Sequence, residues 1–280
     1  MYKSISYWSF LPVNGAPCPP EQAFKLAKEA GYDAVELCCD IGGGVNPESS
    51  QAQCEDWRAA ADKIGIRLDS CASGMSWGCS PTHLDADIRK KFIGLQKAAV
   101  QRTAWLGAKT LLHVPGAVII PWDPEYKPVP YDKAVQWARE AIDEVGAYAA
   151  SLNIELAVEN VWNGMFYSPL ELASFVDSFN NPFLGVYFDI GNVVNHQQWP
   201  PHWIELLGKR IKRVHVKDFK LSVGTLDGFC ELLDGDVPWK ETMAALRSIG
   251  YDRTMTAEMI PPNAETLTRT SKALDKILAM

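Results

Sequence analysis

The sequence predicts an α/β protein built as a closed (β/α)8 TIM barrel, and three observations predict it. Eight short apolar and β-branched runs recur along the 280 residues, each is followed by a stretch with helical spacing, and no Pro- or Gly-rich linker divides the chain. Strands that alternate with helices pair in parallel, because each helix carries the chain back across the sheet. Eight such units close into a barrel without unpaired edges, at a usual size of about 250 residues. The competing architecture, an open doubly wound sheet, normally carries a Gly-rich turn after its first strand. The segment SFLPVNGAPCPPEQ holds neither GxGxxG nor GxxxxGK(S/T), so a closed barrel in one domain over 1–280 is expected.

Taken in order, the expected strands are 4–10, 33–39, 66–72, 110–116, 154–161, 184–190, 211–219 and 253–260. Residues 19–31 read as a helix with Pro at its start and Gly31 as its stop, and 84–108 returns apolar residues every three or four positions. Further helices are expected over 51–64, 131–149, 169–179, 199–208, 238–248 and 264–278. The glycines at 42–44 lack phosphate-loop spacing and read as a flexible loop, and 115–130 reads as a long surface loop.

Composition narrows the function classes. With 47% hydrophobic and 22% charged residues the chain is that of a folded protein. A net charge of −7 opposes a nonspecific nucleic-acid partner, which needs a basic surface to displace counterions. The first residues lack the apolar core of a signal peptide, and no run approaches the roughly 20 apolar residues that span a bilayer. A cytoplasmic location without a membrane partner is therefore the expectation, and a homo-oligomer stays open. The seven cysteines form no CxxC pair and read as reduced thiols.

The run VYFDIGNVV, residues 186–194, places Asp189 where a buried strand is about to leave the sheet. In a barrel all C-terminal strand ends open on one face, so polar groups placed there converge. Glu159, Asp189, His215 and Glu258 stand at the ends of the last four strands. Each alone would ordinarily be a salt-bridge partner, a turn cap or a satisfied histidine. Burying three carboxylates together without a cation, however, costs several kcal/mol. Their oxygen and nitrogen donors suit one divalent ion, Mn²⁺ or Co²⁺ ahead of Mg²⁺, and leave about two places of an octahedron for substrate.

The segments GYDAVEL, LAVENVWNGMFYSP, GVYFDIGNV, RVHVKDF and TAEM also make the chain resemble the xylose isomerase-like barrels of the sugar phosphate isomerase/epimerase type, including the tagatose 3-epimerase group. The resemblance covers nearly the whole chain. It implies a Glu, Asp, His and Glu metal set that maps onto Glu159, Asp189, His215 and Glu258, with Glu159 and Glu258 as catalytic acid and base. The implied reaction is 3-epimerisation of a small polyhydroxy ketone through a cis-enediolate. Such epimerases carry a histidine three residues after the metal aspartate and an arginine six after the metal histidine; this chain has Asn192 and Leu221 there. Dehydratases and lyases on a similar barrel share the chemistry, and a noncatalytic carbohydrate-binding protein would need no cation. A related endonuclease usually needs more histidines than the five present, and a basic surface.

Other candidates for substrate contact, or for holding the metal ligands, are Glu36 and His113 at strand ends, Asn160, Asn163 and Asn192 beside the acidic positions, and Lys217, which shares a strand face with His215. Trp8, Phe10, Trp77 and Trp162 would supply apolar walls. Lys220, Ser222 and Gly224 offer polar groups without forming a defined phosphate motif.

Overall fold

The computed structural model describes residues 1–280. Its strands are β1 (Tyr2–Ser6), β2 (Ala34–Cys38), β3 (Ser70–Ala72), β4 (Thr110–His113), β5 (Glu155–Glu159), β6 (Leu184–Asp189), β7 (Ile211–Val216), β8 (Asp218–Phe219), β9 (Phe229–Cys230) and β10 (Thr254–Ala257). The first seven and β10 close a parallel barrel, whereas β8 and β9 form a separate antiparallel pair. The helices are α1 (Pro20–Glu29), α2 (Gln51–Ile64), α3 (Ala86–Trp105), α4 (Tyr131–Ser151), α5 (Pro169–Asp177), α6 (Ile190–Asn195), α7 (Pro200–Leu207), α8 (Trp239–Ser248) and α9 (Thr266–Leu278). None of them is long and apolar enough to cross a membrane.

Local chemistry sets the helix ends. In α1, Pro20 occupies the first turn, where its missing N–H costs nothing, and Ala23, Phe24 and Ala27 bury one face. In α2 the Ser50 hydroxyl accepts from the Gln53 amide while the Gln53 side chain accepts from the Ser50 amide, and Gly65 ends the helix at φ 74°. The barrel strands are buried on both faces, so they read as apolar runs with polar interruptions that face inward. In β6 the Phe188 ring packs outward near Trp203 of α7, while Tyr187 crosses the interior to Glu36 of β2. The two-residue period then turns Asp189 inward beside Tyr187.

Several strands are shorter than expected, β4, β5 and β10 among them, and three of the differing boundaries have a clear local reason. β1 starts at Tyr2, which pairs with Thr254, and stops at Ser6, where residues 7–9 turn into a short 3-10 helix. In β3 the residues before Ser70 make only an isolated bridge, Ala34 to Arg67. The expected strand 211–219 breaks at Lys217, because the Asp218 carboxylate turns aside to accept from the amides of Phe219, Leu233 and Val237 and from the Trp239 indole. Helix α6 was not expected; the Asp189 carboxylate caps it by accepting from the Asn192 amide at 2.8 Å.

The two loops are also tighter than expected. Residues 42–44 do form a loop, exposed at Gly42, but Gly44 lets its backbone pass against the Tyr7 ring. Segment 115–130 is pinned through Thr82 to Ala117, through Val118 to the Asn163 carbonyl, and through the Asn163 amide to Gly116. That pinning delivers Trp122 to the mouth of the barrel and commits Asn163 to holding the loop. All seven cysteines are free thiols, six of them buried.

Gly191 is the point where α6 crosses the end of β7. A Cβ there would lie 2.6 Å from Lys217 Cβ and 3.0 Å from its carbonyl carbon. We expect Gly191→Ala to lower stability by about 1–3 kcal/mol, the usual cost of overpacking, in denaturant-unfolding measurements. An unchanged midpoint would contradict this packing role.

Candidate metal centre

Strands β5, β6, β7 and β10 are neighbours in the barrel, and their ends bring Glu159, Asp189, His215 and Glu258 together. One ligand atom from each lies within 4.8 Å of every other, and all four residues are buried. His215 Nδ1 stands 2.8 Å from Glu258 Oε2, 3.7 Å from Glu159 Oε1 and 4.0 Å from Asp189 Oδ2. Lys217 Nζ lies 3.1 Å from Asp189 Oδ2 and 2.9 Å from Glu258 Oε2. These are ion-pair distances without hydrogen-bond angles, so Asp189 Oδ2, His215 Nδ1 and Glu258 Oε2 are buried atoms lacking a hydrogen-bond partner. Orphaned acceptors converging on one point, with an imidazole nitrogen among them, fit a single divalent cation.

The other face of the imidazole is fixed. His215 Nε2 is 2.7 Å from Glu36 Oε1, and Glu36 Oε2 accepts from the hydroxyls of Ser70, at 2.7 Å, and Tyr187. A donor hydrogen bond from Nε2–H leaves Nδ1 facing the carboxylates and orients the ring for ligation. Asn160 clasps the Asp189 backbone with both ends of its amide, at 2.9 Å each. Asn192 donates to the Asn160 carbonyl at 2.9 Å. Both asparagines therefore hold the Asp189 turn.

Charge is unevenly shared among the carboxylates. Burial pushes the Glu159 carboxyl up to about 7 against the opposing pull of His215 and Lys217. Glu258 is equally desolvated, but Lys217 and His215 outweigh burial and bring it down to about 2. Burial also raises Asp189, which Lys217 partly offsets. For His215 burial favours the neutral ring, yet Glu36 and Glu258 overcome it and hold the imidazole well above its usual range.

The remaining candidates separate into walls and core. Trp77 and Trp162 stack with centroids 5.2 Å apart, and Trp122 meets both edge-on at 4.9 and 4.5 Å. Trp8 donates its indole N–H to Asp40 at 2.8 Å. Phe10 is buried beside Tyr7 instead. His113 is not brought to the cluster. It pairs with Val158, on the face opposite to Glu159, and packs on Phe92 of α3, where burial alone lowers it to about 3. Sequence reasoning passed over Ser70, Tyr187, Asp40 and Trp122; only Tyr187 carried a signal, two positions before Asp189.

The family of xylose isomerase-like TIM barrels matches residues 24–277. No curated protein matches the chain in sequence. Among solved structures, a D-tagatose 3-epimerase-like protein superposes with a TM-score of 0.80 at 18% identity, covering 100% of this chain and 97% of the other. A D-psicose 3-epimerase solved in the presence of D-fructose gives 0.78 at 19% identity, with both chains covered to 100%. The 3-keto-D-glucoside 4-epimerase of E. coli, in its apo form, gives 0.77 at 12%, again covering 100% of both. At these identities the likeness is one of fold.

A cation at this centre must displace protons held by His215 Nδ1 and, near neutral pH, by part of the Glu159 population. Metal uptake at about pH 7 is therefore expected to release about one to two protons per ion, and affinity should rise with pH. Calorimetry in buffers of different ionisation enthalpy measures the release. Uptake without proton release would contradict these protonation states.

Proposed function

Because the chain belongs to the xylose isomerase-like TIM barrel family, we propose that it is a divalent-metal-dependent isomerase that inverts C3 of a ketose or related keto sugar, with Glu159 and Glu258 as acid and base. One observation carries this reading. Glu159 and Glu258 are buried on two sides of the same imidazole, 3.7 and 2.8 Å from His215 Nδ1, the placement expected of an acid and base pair serving one substrate carbon. A divalent ion held by Glu159, Asp189, His215 and Glu258, Mn²⁺ or Co²⁺ ahead of Mg²⁺, would supply positive charge against the oxyanion that forms when a proton leaves the carbon beside a carbonyl.

The protein's own groups then divide the work. Glu258, ionised beside Lys217, takes the proton from one face of the carbon. Glu159 returns one from the opposite face, and the configuration inverts; the reverse reaction exchanges the roles. Glu36 keeps the His215 ring turned toward the ligands, and Asn160 and Asn192 keep Asp189 in place. The solved ketose epimerases that share the fold support a polyhydroxy ketone as substrate.

A second reading is dehydration of a linear or cyclic polyhydroxy ketone after the same proton abstraction. It is favoured by the two substituted positions: the Asn192 side-chain N–H is spent on the Asn160 carbonyl, and Leu221 is exposed. Neither presents the polar group implied by the 3-epimerase resemblance.

Glu159→Gln and Glu258→Gln should each cut inversion by at least about a hundredfold, since a positioned acid or base contributes about 10²- to 10⁴-fold. In D₂O each variant should still exchange the substrate proton from the face of its surviving glutamate, so the two should label opposite C3 epimers. Stereospecific deuterium incorporation followed by NMR, with metal content recorded, measures this. Near-normal inversion by either fully metallated variant would exclude the two-glutamate mechanism.

A further inference from the structure

We propose that Lys217 is the counter-cation of the metal-free centre, that its ammonium leaves Asp189 and Glu258 when a divalent ion takes them, and that it then donates a hydrogen bond to a substrate oxygen in the adjoining cavity. The substrate half rests on the isomerase reading above; the exchange half does not. Lys217 Nζ lies 3.1 Å from Asp189 Oδ2 and 2.9 Å from Glu258 Oε2. These are the same two oxygens that face His215 Nδ1, at 4.0 and 2.8 Å. Asp189 has no other oxygen to give, because Oδ1 caps α6 by accepting from the Asn192 amide. An ion at about 2.0–2.3 Å from Glu258 Oε2 would stand within about 5 Å of the ammonium, two positive charges against one. The ammonium and the ion therefore contend for the same oxygens.

The side chain is held at its base and free at its tip. Gly191 of α6 packs against the Lys217 Cβ and carbonyl, and the next residue, Asp218, is tied down by four donors. Beyond Cβ the flexible stem can swing. Room for the swing lies in the larger of the two cavities that Glu258 lines, about 570 Å³ against about 460 Å³. Lys217 is the only lysine or arginine on its wall, and Asp189 is not on it, so the ammonium stands where cavity and centre meet. Phe229, on the same wall, has its ring centroid 5.6 Å from Nζ, within reach for its face to hold the cation once it leaves the carboxylates. Displaced toward that wall, the ammonium is a donor aimed at an oxygen bound in the cavity, where it adds positive charge against a developing oxyanion.

A lysine that served only to brace the two carboxylates would act in the opposite direction. Its removal would loosen two ligands and weaken metal binding, whereas removal of a competing cation strengthens it.

The test uses the full chain, metal-free and loaded with Mn²⁺. Calorimetry at pH 8 should show Lys217→Met, which keeps the stem and drops the charge, binding Mn²⁺ at least about tenfold more tightly than the wild type, while Lys217→Arg gains nothing. Trace acetylation of the wild-type protein, read by mass spectrometry of the peptide carrying Lys217, should be at least about fivefold faster with Mn²⁺ bound, because the amine has lost its carboxylate partners. That arm needs no variant and decides the exchange if Lys217→Met does not fold. Turnover of D-fructose and D-psicose by the fully metallated Lys217→Met protein, followed by product NMR, should fall at least about tenfold despite the tighter metal. Weaker or unchanged Mn²⁺ binding by a folded Lys217→Met protein, or acetylation unchanged by Mn²⁺, would overturn the exchange. Wild-type turnover by the metallated variant would overturn the substrate contact. If both metal readouts come out as expected and the wild type turns over neither ketose, the exchange stands, and the isomerase reading falls together with the substrate half.

Discussion

Charge compensation inside the barrel mouth is the constraint on which the rest of the structure depends. Glu36, Glu159, Asp189 and Glu258 are buried around one imidazole and one ammonium. Without partners, carboxylates so placed would cost several kcal/mol each. His215 sits between Glu36 and the other three, and Lys217 bridges Asp189 and Glu258. Even so, one atom each of Asp189, His215 and Glu258 stays without a hydrogen bond. A fold selected only for stability would replace such groups with apolar ones; their retention marks the cluster as a candidate cation site.

The barrel makes this arrangement sustainable. Parallel strands have both faces covered, so the protein can dedicate the inner face to a column of polar groups while the outer face packs on helices. Tyr187 illustrates the economy: its strand neighbours Val186 and Phe188 feed the outer core, and its own hydroxyl crosses to Glu36. Each hydrogen bond behind the ligands removes a degree of freedom from a ligand. The Asp218 carboxylate does comparable work one residue beyond Lys217, anchoring the segment that walls the larger cavity.

How much of this could be read from the amino acids follows the same physics. Eight apolar runs with helical spacing between them reported the barrel, because burial on both faces imposes that pattern. The four candidate ligand positions were legible as polar interruptions at the ends of successive strands. Strand ends such as Ser6 and Lys217 were not, because they depend on where a 3-10 turn or the Asp218 carboxylate takes over. His113 was placed on the wrong face for a related reason: when both faces are buried, a strand end alone does not say which side looks inward. Glu36 and Lys217 stand beside the cluster, but their partners on other strands, Ser70 and Tyr187 for one and Asp189 and Glu258 for the other, are contacts between segments distant in sequence. Trp122 depends on how 115–130 is pinned, which no local pattern encodes.

The central claim is that these four side chains form one cation site. Anomalous diffraction from crystals loaded with Mn²⁺ or Co²⁺ tests it most directly. The account predicts a single strong peak at about 2.0–2.3 Å from Glu159, Asp189, His215 Nδ1 and Glu258, the usual range for nitrogen and oxygen ligands. A loaded crystal with no peak there, and with Lys217 still bridging Asp189 and Glu258, would contradict it.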